Sequence, residues 1–107
     1  MTTLLSEQEF RVKSDEALTH ARQMLLPLAD DEGFEVELQN GVMDLVFEEP
    51  RETKFVVSPN APVRQIWVSA MARSYKLPWD AGRGVFALNG ESLTQLLERL
   101  AREFLGS

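Results

Sequence analysis

Asn40-Gly41 constrains this chain more than any other pair of residues in it, because it stands between two runs that alternate apolar and polar side chains, Phe34 to Leu38 and Val42 to Phe47. A two-residue hairpin loop needs positive φ at both central positions, which Asn and Gly tolerate and most residues do not. With these two as the loop, Gln39 pairs with Val42, Leu38 with Met43, Glu37 with Asp44, Val36 with Leu45 and Phe34 with Phe47. Side chains alternate faces along a strand. The register therefore buries Phe34, Val36, Leu38, Met43, Leu45 and Phe47 and turns Glu35, Glu37 and Asp44 the other way. Glu37 directly across from Asp44 costs stability, by about 0.2–1 kcal/mol, and a cation between them removes that cost.

A second strand pair is read from the stretch Phe55 to Ser69, two β-branched runs around Pro59 and Pro62. The prolines lack a backbone donor, so the segment between them is expected to stay out of any ladder. If Ile66 and Val68 enter a core, Gln65, Trp67 and Ser69 face outward together, near Arg64. An outward Trp among polar neighbours has the composition of a recognition patch; the plainer alternative is that a loop or helix covers it.

The rest of the chain supplies two helices. Ser6-x-x-Glu9 has the form of a capping box and opens the first. Phe10, Ala17, Ala21, Met24, Leu25 and Leu28 mark its apolar face, Pro27 is expected to end it, and Asp30-Asp31-Glu32-Gly33 is expected to be the turn that follows. Ser74 to Leu77 reads as a strand, Pro78 to Gly84 as a loop and Val85 to Leu88 as a last strand. Asn89-Gly90 then opens a second helix with Leu93, Leu96, Leu97, Leu100, Ala101 and Phe104 on one face and Gly106 at its end. The expected fold class is α+β: a two-layer sandwich in which an antiparallel sheet of five to six strands carries both helices on one face, as a single domain over residues 1–107.

Composition narrows the function classes. Residues 1–49 carry a net charge of −9, residues 50–90 of +4 and residues 91–107 of −1. An acidic half argues against nucleic acid and favours cations or a basic protein surface. No apolar run is long enough to span a membrane, and the first residues lack a basic stretch followed by an apolar one, so a cytoplasmic monomer is expected. With no cysteine, thiolate metal sites are excluded; His20, four residues after Glu16 on one helix face, is the only imidazole. No histidine is placed by sequence to activate Ser58, Ser69, Ser74 or Ser92, and no glycine-rich phosphate loop precedes a helix. An enzyme is not expected.

The remaining candidate chemistry is the acidic group Asp30, Asp31, Glu32, Glu35 and Glu37, with Asp44 beside it. Exposed carboxylates without a preformed cage take hard cations such as Fe2+, Mn2+, Mg2+ or Ca2+ weakly and with little selectivity. The same residues also read as a solubilising face or as a docking surface for a basic protein.

Several motifs, in this order, resemble the frataxin family: Asn40-Gly41 after an acidic first half, Pro62-x-x-Gln65-Ile66-Trp67 with Ser69, Tyr75 in the next strand, and Gly90-Glu91-Ser92-Leu93 leading into Leu96-Leu97. The resemblance covers roughly residues 8–104. It implies the same two-layer sandwich, and iron (Fe2+ or Fe3+) held weakly and exchangeably by Asp30, Asp31, Glu32, Glu35, Glu37 and Asp44. It further implies that Gln65, Trp67, Ser69 and Asn60 engage the cysteine desulfurase and the iron-sulfur scaffold protein, and that the chain regulates cluster assembly. Paired acidic residues that many bacterial frataxins carry in the second half of the first helix fall here at Arg22, Gln23, Leu26 and Pro27, which implies fewer or weaker iron sites. On the outer face, the family's Asn and Gln in the turn fall at Ser58 and Asn60 and an aromatic of the last strand falls at Gly84, with Trp79 or Phe86 as possible substitutes. The alternative function is a metal-independent interaction module acting on the desulfurase. A ferroxidase or iron-storage assembly is a third reading, which oxygen consumption and large oligomers would reveal.

Overall fold

The structure is a computed structural model that describes residues 5–106. Helix α1 (Glu7–Glu32) is followed by seven antiparallel strands in unbroken chain order: β1 (Glu35–Gln39), β2 (Val42–Phe47), β3 (Thr53–Asn60), β4 (Gln65–Ala70), β5 (Arg73–Asp80), β6 (Val85–Leu88) and β7 (Glu91–Ser92). Helix α2 (Leu93–Leu105) closes the chain. Both helices lie on one face of the sheet, as the patterning predicts, with a sheet one strand larger than the upper estimate because β6 is joined by the two-residue β7.

Helix α1 starts at the expected capping box: Ser6 Oγ accepts from the Glu9 N–H at 3.1 Å, and Glu9 Oε1 accepts from the Ser6 N–H at 3.0 Å. That backbone donor, with the Ser6 hydroxyl, holds the Glu9 carboxyl below its ordinary pKa. Pro27 does not end the helix, which runs on to Glu32 and stops where Gly33 adopts φ +80°. Leu25 and Ala29 are buried on either side of Pro27, while Pro27 and Gln23, whose carbonyl is deprived of its i+4 donor, face solvent. Burial on one face thus offsets a defect that water meets on the other. The buried stripe is Phe10, Ser14, Leu18, Ala21, Leu25 and Ala29, so Met24, expected inside, lies on the flank at 56% exposure. Ser14 is buried but satisfied, donating to the Arg11 carbonyl at 3.2 Å.

The β1–β2 hairpin has the predicted register at every pair from Gln39–Val42 to Val36–Leu45, with Asn40 and Gly41 both at positive φ. Two other turns depart from expectation. Met71 and Ala72, at φ +52° and +62°, form the β4–β5 loop without a glycine or asparagine, and Ala70 pairs directly with Arg73. Asn89-Gly90 does not open α2. It is the tight turn between β6 and β7, and α2 starts from its own capping box, Ser92 with Gln95. Gly106 closes α2 through its N–H to the Arg102 carbonyl at φ −87°, without the left-handed conformation.

The prolines also break less than their chemistry suggests. Strand β3 continues through Pro59 to Asn60, pairing with Ile66 and Gln65, and only Ala61–Val63 form a helical turn. The β2–β3 ladder ends at Met43–Val57, so Pro59 stands where one side of β3 needs no donor. Strand β5 likewise runs past Pro78 to Asp80, which shortens the expected loop to residues 81–84.

Between the layers, all six apolar residues foreseen for α2 are buried. Phe104 at its end packs on Phe47 at 4.8 Å and on Phe55 at 5.9 Å, and Phe34 joins Phe47 at 4.6 Å. At the opposite end Phe10 meets Phe86 edge-on at 5.6 Å. The two helices therefore start at one end of the sheet and finish at the other.

Candidate functional site

With both helices on one side, the sheet's other face is left open, and registry decides what it displays. Cross-strand pairing sets Glu37 beside Asp44, Asp44 beside Val56, Val56 beside Ser69 and Ser69 beside Ser74 in one outward row. The next row holds Ser58, Trp67 and Lys76, and the one beyond it Asn60, Gln65 and Pro78. The four residues anticipated as a partner surface, Asn60, Gln65, Trp67 and Ser69, thus share one face, Ser69 exposed and the other three half-buried. Among the described residues, no helix covers Trp67.

Trp67 is held in place from two sides. Its indole N–H donates to Gln65 Oε1 at 3.0 Å, two residues along the same strand face, and the Lys76 ammonium lies 4.8 Å from the ring centroid. Lys76 has no place in the residue-level expectations. The signal that locates it is the β4–β5 register, which depends on the Met71-Ala72 turn that sequence rules do not flag. Trp79 and Phe86 cannot extend this face: Phe86 is buried against Phe10, and Trp79 packs on Phe86 at 5.1 Å within the helical layer. Gly84 is exposed at φ +69° in the turn before β6.

The acidic residues divide between the two layers around edge strand β1. Glu35 and Glu37 are exposed on the outer sheet face, with half-buried Asp44 opposite Glu37. Asp30, Asp31 and Glu32, expected in a turn, instead form the exposed last turn of α1. Carboxylates there sit at the negative end of the helix dipole, and that turn contains no basic residue to compensate. Among the described residues, no three carboxylate or imidazole side chains are brought together so as to hold one metal ion. The arrangement offers single carboxylates and pairs, open to water, rather than a cage.

His20 lies elsewhere, exposed on α1. With Glu16 and Lys13 it rims a groove of about 380 Å³ whose other walls come from Trp79, Phe86 and the start of α2. Lys13 is engaged there by Glu16 at 3.7 Å and by the Trp79 ring at 5.9 Å.

Comparison with known proteins agrees with the fold. The model of the frataxin-like domain matches residues 3–107. The chain belongs to the frataxin family. Among similar frataxins, the iron-sulfur cluster assembly protein CyaY of Cupriavidus necator is 30% identical over 105 residues, covering 96% of this chain and 93% of that one. CyaY of Azotobacter vinelandii is 28% identical over 95 residues, with 85% and 84% covered. The solved structure of a frataxin from Psychromonas ingrahamii superposes with a TM-score of 0.66 over 92% of this chain and 90% of that one, at 15% identity, and so shows the shared fold. Of the four α1 positions at which the resemblance implied a loss of acidic residues, Gln23 and Pro27 are exposed and Arg22 and Leu26 half-buried. No helix among the described residues is long and apolar enough to cross a membrane.

Proposed function

We propose that this frataxin serves iron-sulfur cluster assembly as a regulator that binds iron weakly at its acidic edge and docks on the cysteine desulfurase and scaffold complex through its open sheet face. The observation that carries the reading is the unshielded side-by-side placement of Glu37 and Asp44, with Glu35 on the same face and the uncompensated acidic end of α1 nearby. Iron is cargo here rather than a resident cofactor. A hard cation fits a site of this kind through one or two carboxylates with water filling the remaining positions, which supports rapid exchange and low affinity. The names of the CyaY relatives support the pathway. Nothing in the reading asks this chain to form a covalent intermediate: its residues attract the cation, orient the partner and present Trp67.

The test is an anaerobic NMR titration of the labelled protein with Fe2+, run beside a Glu35→Ala, Glu37→Ala double variant. Saturable shifts confined to residues 30–44 and lost in the variant support iron binding at this edge. Diffuse shifts, or none at physiological salt, overturn it and leave the metal-independent interaction module, which then has to show its effect on the desulfurase without iron.

A further inference from the structure

The outer sheet face is divided by charge, and its division follows the strands. On β1 and β2 the outward positions include Glu35, Glu37 and Asp44 and no cation. On β3 to β5 they include Lys54 and Lys76, and among the described residues neither lysine forms an ion pair. The one outward carboxylate on these three strands, Asp80, sits at the far end of β5 and accepts the Arg83 backbone N–H at 3.2 Å.

Hydrogen bonding sharpens this asymmetry. The Gln65 carboxamide oxygen accepts from Trp67 Nε1 at 3.0 Å, which leaves its NH2 group for solvent or a partner. The same bond occupies the indole N–H, so Trp67 offers its apolar ring rather than a donor. Lys76 lies over that ring and keeps an ammonium with no carboxylate beside it. What the centre of this face has to give is therefore an aromatic surface bordered by donors and positive charge. Among the described residues, it holds no carboxylate to meet a basic partner.

We infer that the Gln65–Trp67–Lys76 face takes a carboxylate-bearing peptide segment of its protein partner, whose acidic groups meet Lys76 and the Gln65 amide while an apolar residue covers Trp67. This rests on the reading that the open sheet face meets a partner and adds the chemistry of the segment that docks there. It assigns Gln65 a positioning role: its oxygen orients the indole and its amide nitrogen faces the partner. Charge complementarity selects the acidic segment and disfavours a basic one on the same strands, while the acidic edge of β1 and β2 has the opposite preference.

The experiment is an NMR titration of the labelled full-length protein with an unstructured Glu-rich peptide carrying one Leu, beside the same peptide with Lys for Glu. The Glu-rich peptide is expected to shift the Trp67 indole N–H, the Gln65 side-chain amide and Lys76, with shifts that weaken as salt rises. Lys76→Glu should weaken this binding about fivefold or more, the order expected for reversing one exposed charge contact. Gln65→Leu should release the indole N–H resonance from its hydrogen-bonded position, and Gln65→Glu, which keeps the acceptor but not the donor, should retain that position while losing affinity. Equal or stronger shifts of Trp67 with the Lys-rich peptide, or Glu-rich binding indifferent to Lys76→Glu, overturn the inference. Because no iron is added and the β1 carboxylates are intact throughout, such a failure leaves the outcome of the Fe2+ titration unaffected.

Discussion

Glu37 and Asp44 face each other across the β1–β2 ladder as a directly opposed pair, one exposed and one half-buried, in a hairpin whose two-residue turn leaves them no freedom to slip past one another. Like charges so placed destabilise a sheet. Glu37→Gln should raise stability by about 0.5 kcal/mol, read as a higher urea midpoint with an unchanged slope. Divalent cation should stabilise the wild-type protein more than the variant, and equal stabilisation of both would place the cation elsewhere.

Pro27 gives a second prediction. An interior helical proline costs about 3 kcal/mol relative to alanine in an exposed helix, less what its rigidity saves in the unfolded chain. Pro27→Ala should stabilise the protein by about 1–2 kcal/mol in thermal or urea unfolding. A loss of stability would mean that α1 needs the irregularity to seat both Leu25 and Ala29.

Ala72 is held at φ +62° in the β4–β5 turn, a conformation that costs a residue with a Cβ about 1–2 kcal/mol. Ala72→Gly should recover on the order of 0.5–1 kcal/mol after the added flexibility of the unfolded chain is counted. Since this turn also sets the register that brings Lys76 beside Trp67, the indole N–H resonance should be unmoved.

Part of the protein's acid sensitivity should be traceable to Glu91. Arg99 donates to both of its oxygens, at 2.7 and 3.0 Å, tying β7 to α2, and this hydrogen bonding holds the Glu91 carboxyl below its ordinary value of 4.5. A group whose folded pKa is lowered contributes stability above its unfolded value and loses it as pH falls through the folded one. The stability difference between wild type and Glu91→Gln should therefore be full at neutral pH and shrink on acidification below 4.5, as measured by urea unfolding across that range. A difference independent of pH would assign the effect to packing.

Where local chemistry and burial agreed, the sequence was legible. Asn40-Gly41 and the alternation on either side carried the β1–β2 register pair by pair, and the spacing from Leu93 to Phe104 carried the buried face of α2. Legibility failed where tertiary context overrode a local rule. Pro27, Pro59 and Pro78 read as breakers because each lacks a donor, yet at Pro27 the defect faces water and at Pro59 one flank of the strand has no neighbour. Met71-Ala72 was invisible for the converse reason: positive φ is imposed there by the pairing of β4 with β5 rather than favoured by the residues themselves. The outward Trp67 followed from alternation alone. Lys76 did not, since it needed a register that the missed turn controls.

The unbroken order from β1 to β7 also bears on how the molecule assembles. Each strand pairs with the one just made, so the sheet can grow from its turns by closing only short loops, which is the inexpensive kind of contact for a chain to find. The helices are the opposite case: α1 and α2 stand at the two ends of the sequence and share one core, and until both have docked the inner face of the sheet is bare. Folding is thus split between contacts that are close along the chain and one long closure that joins its beginning to its end, and substitutions at Phe10 or Phe104 should weigh on that closure while changes in the hairpins weigh on growth of the sheet.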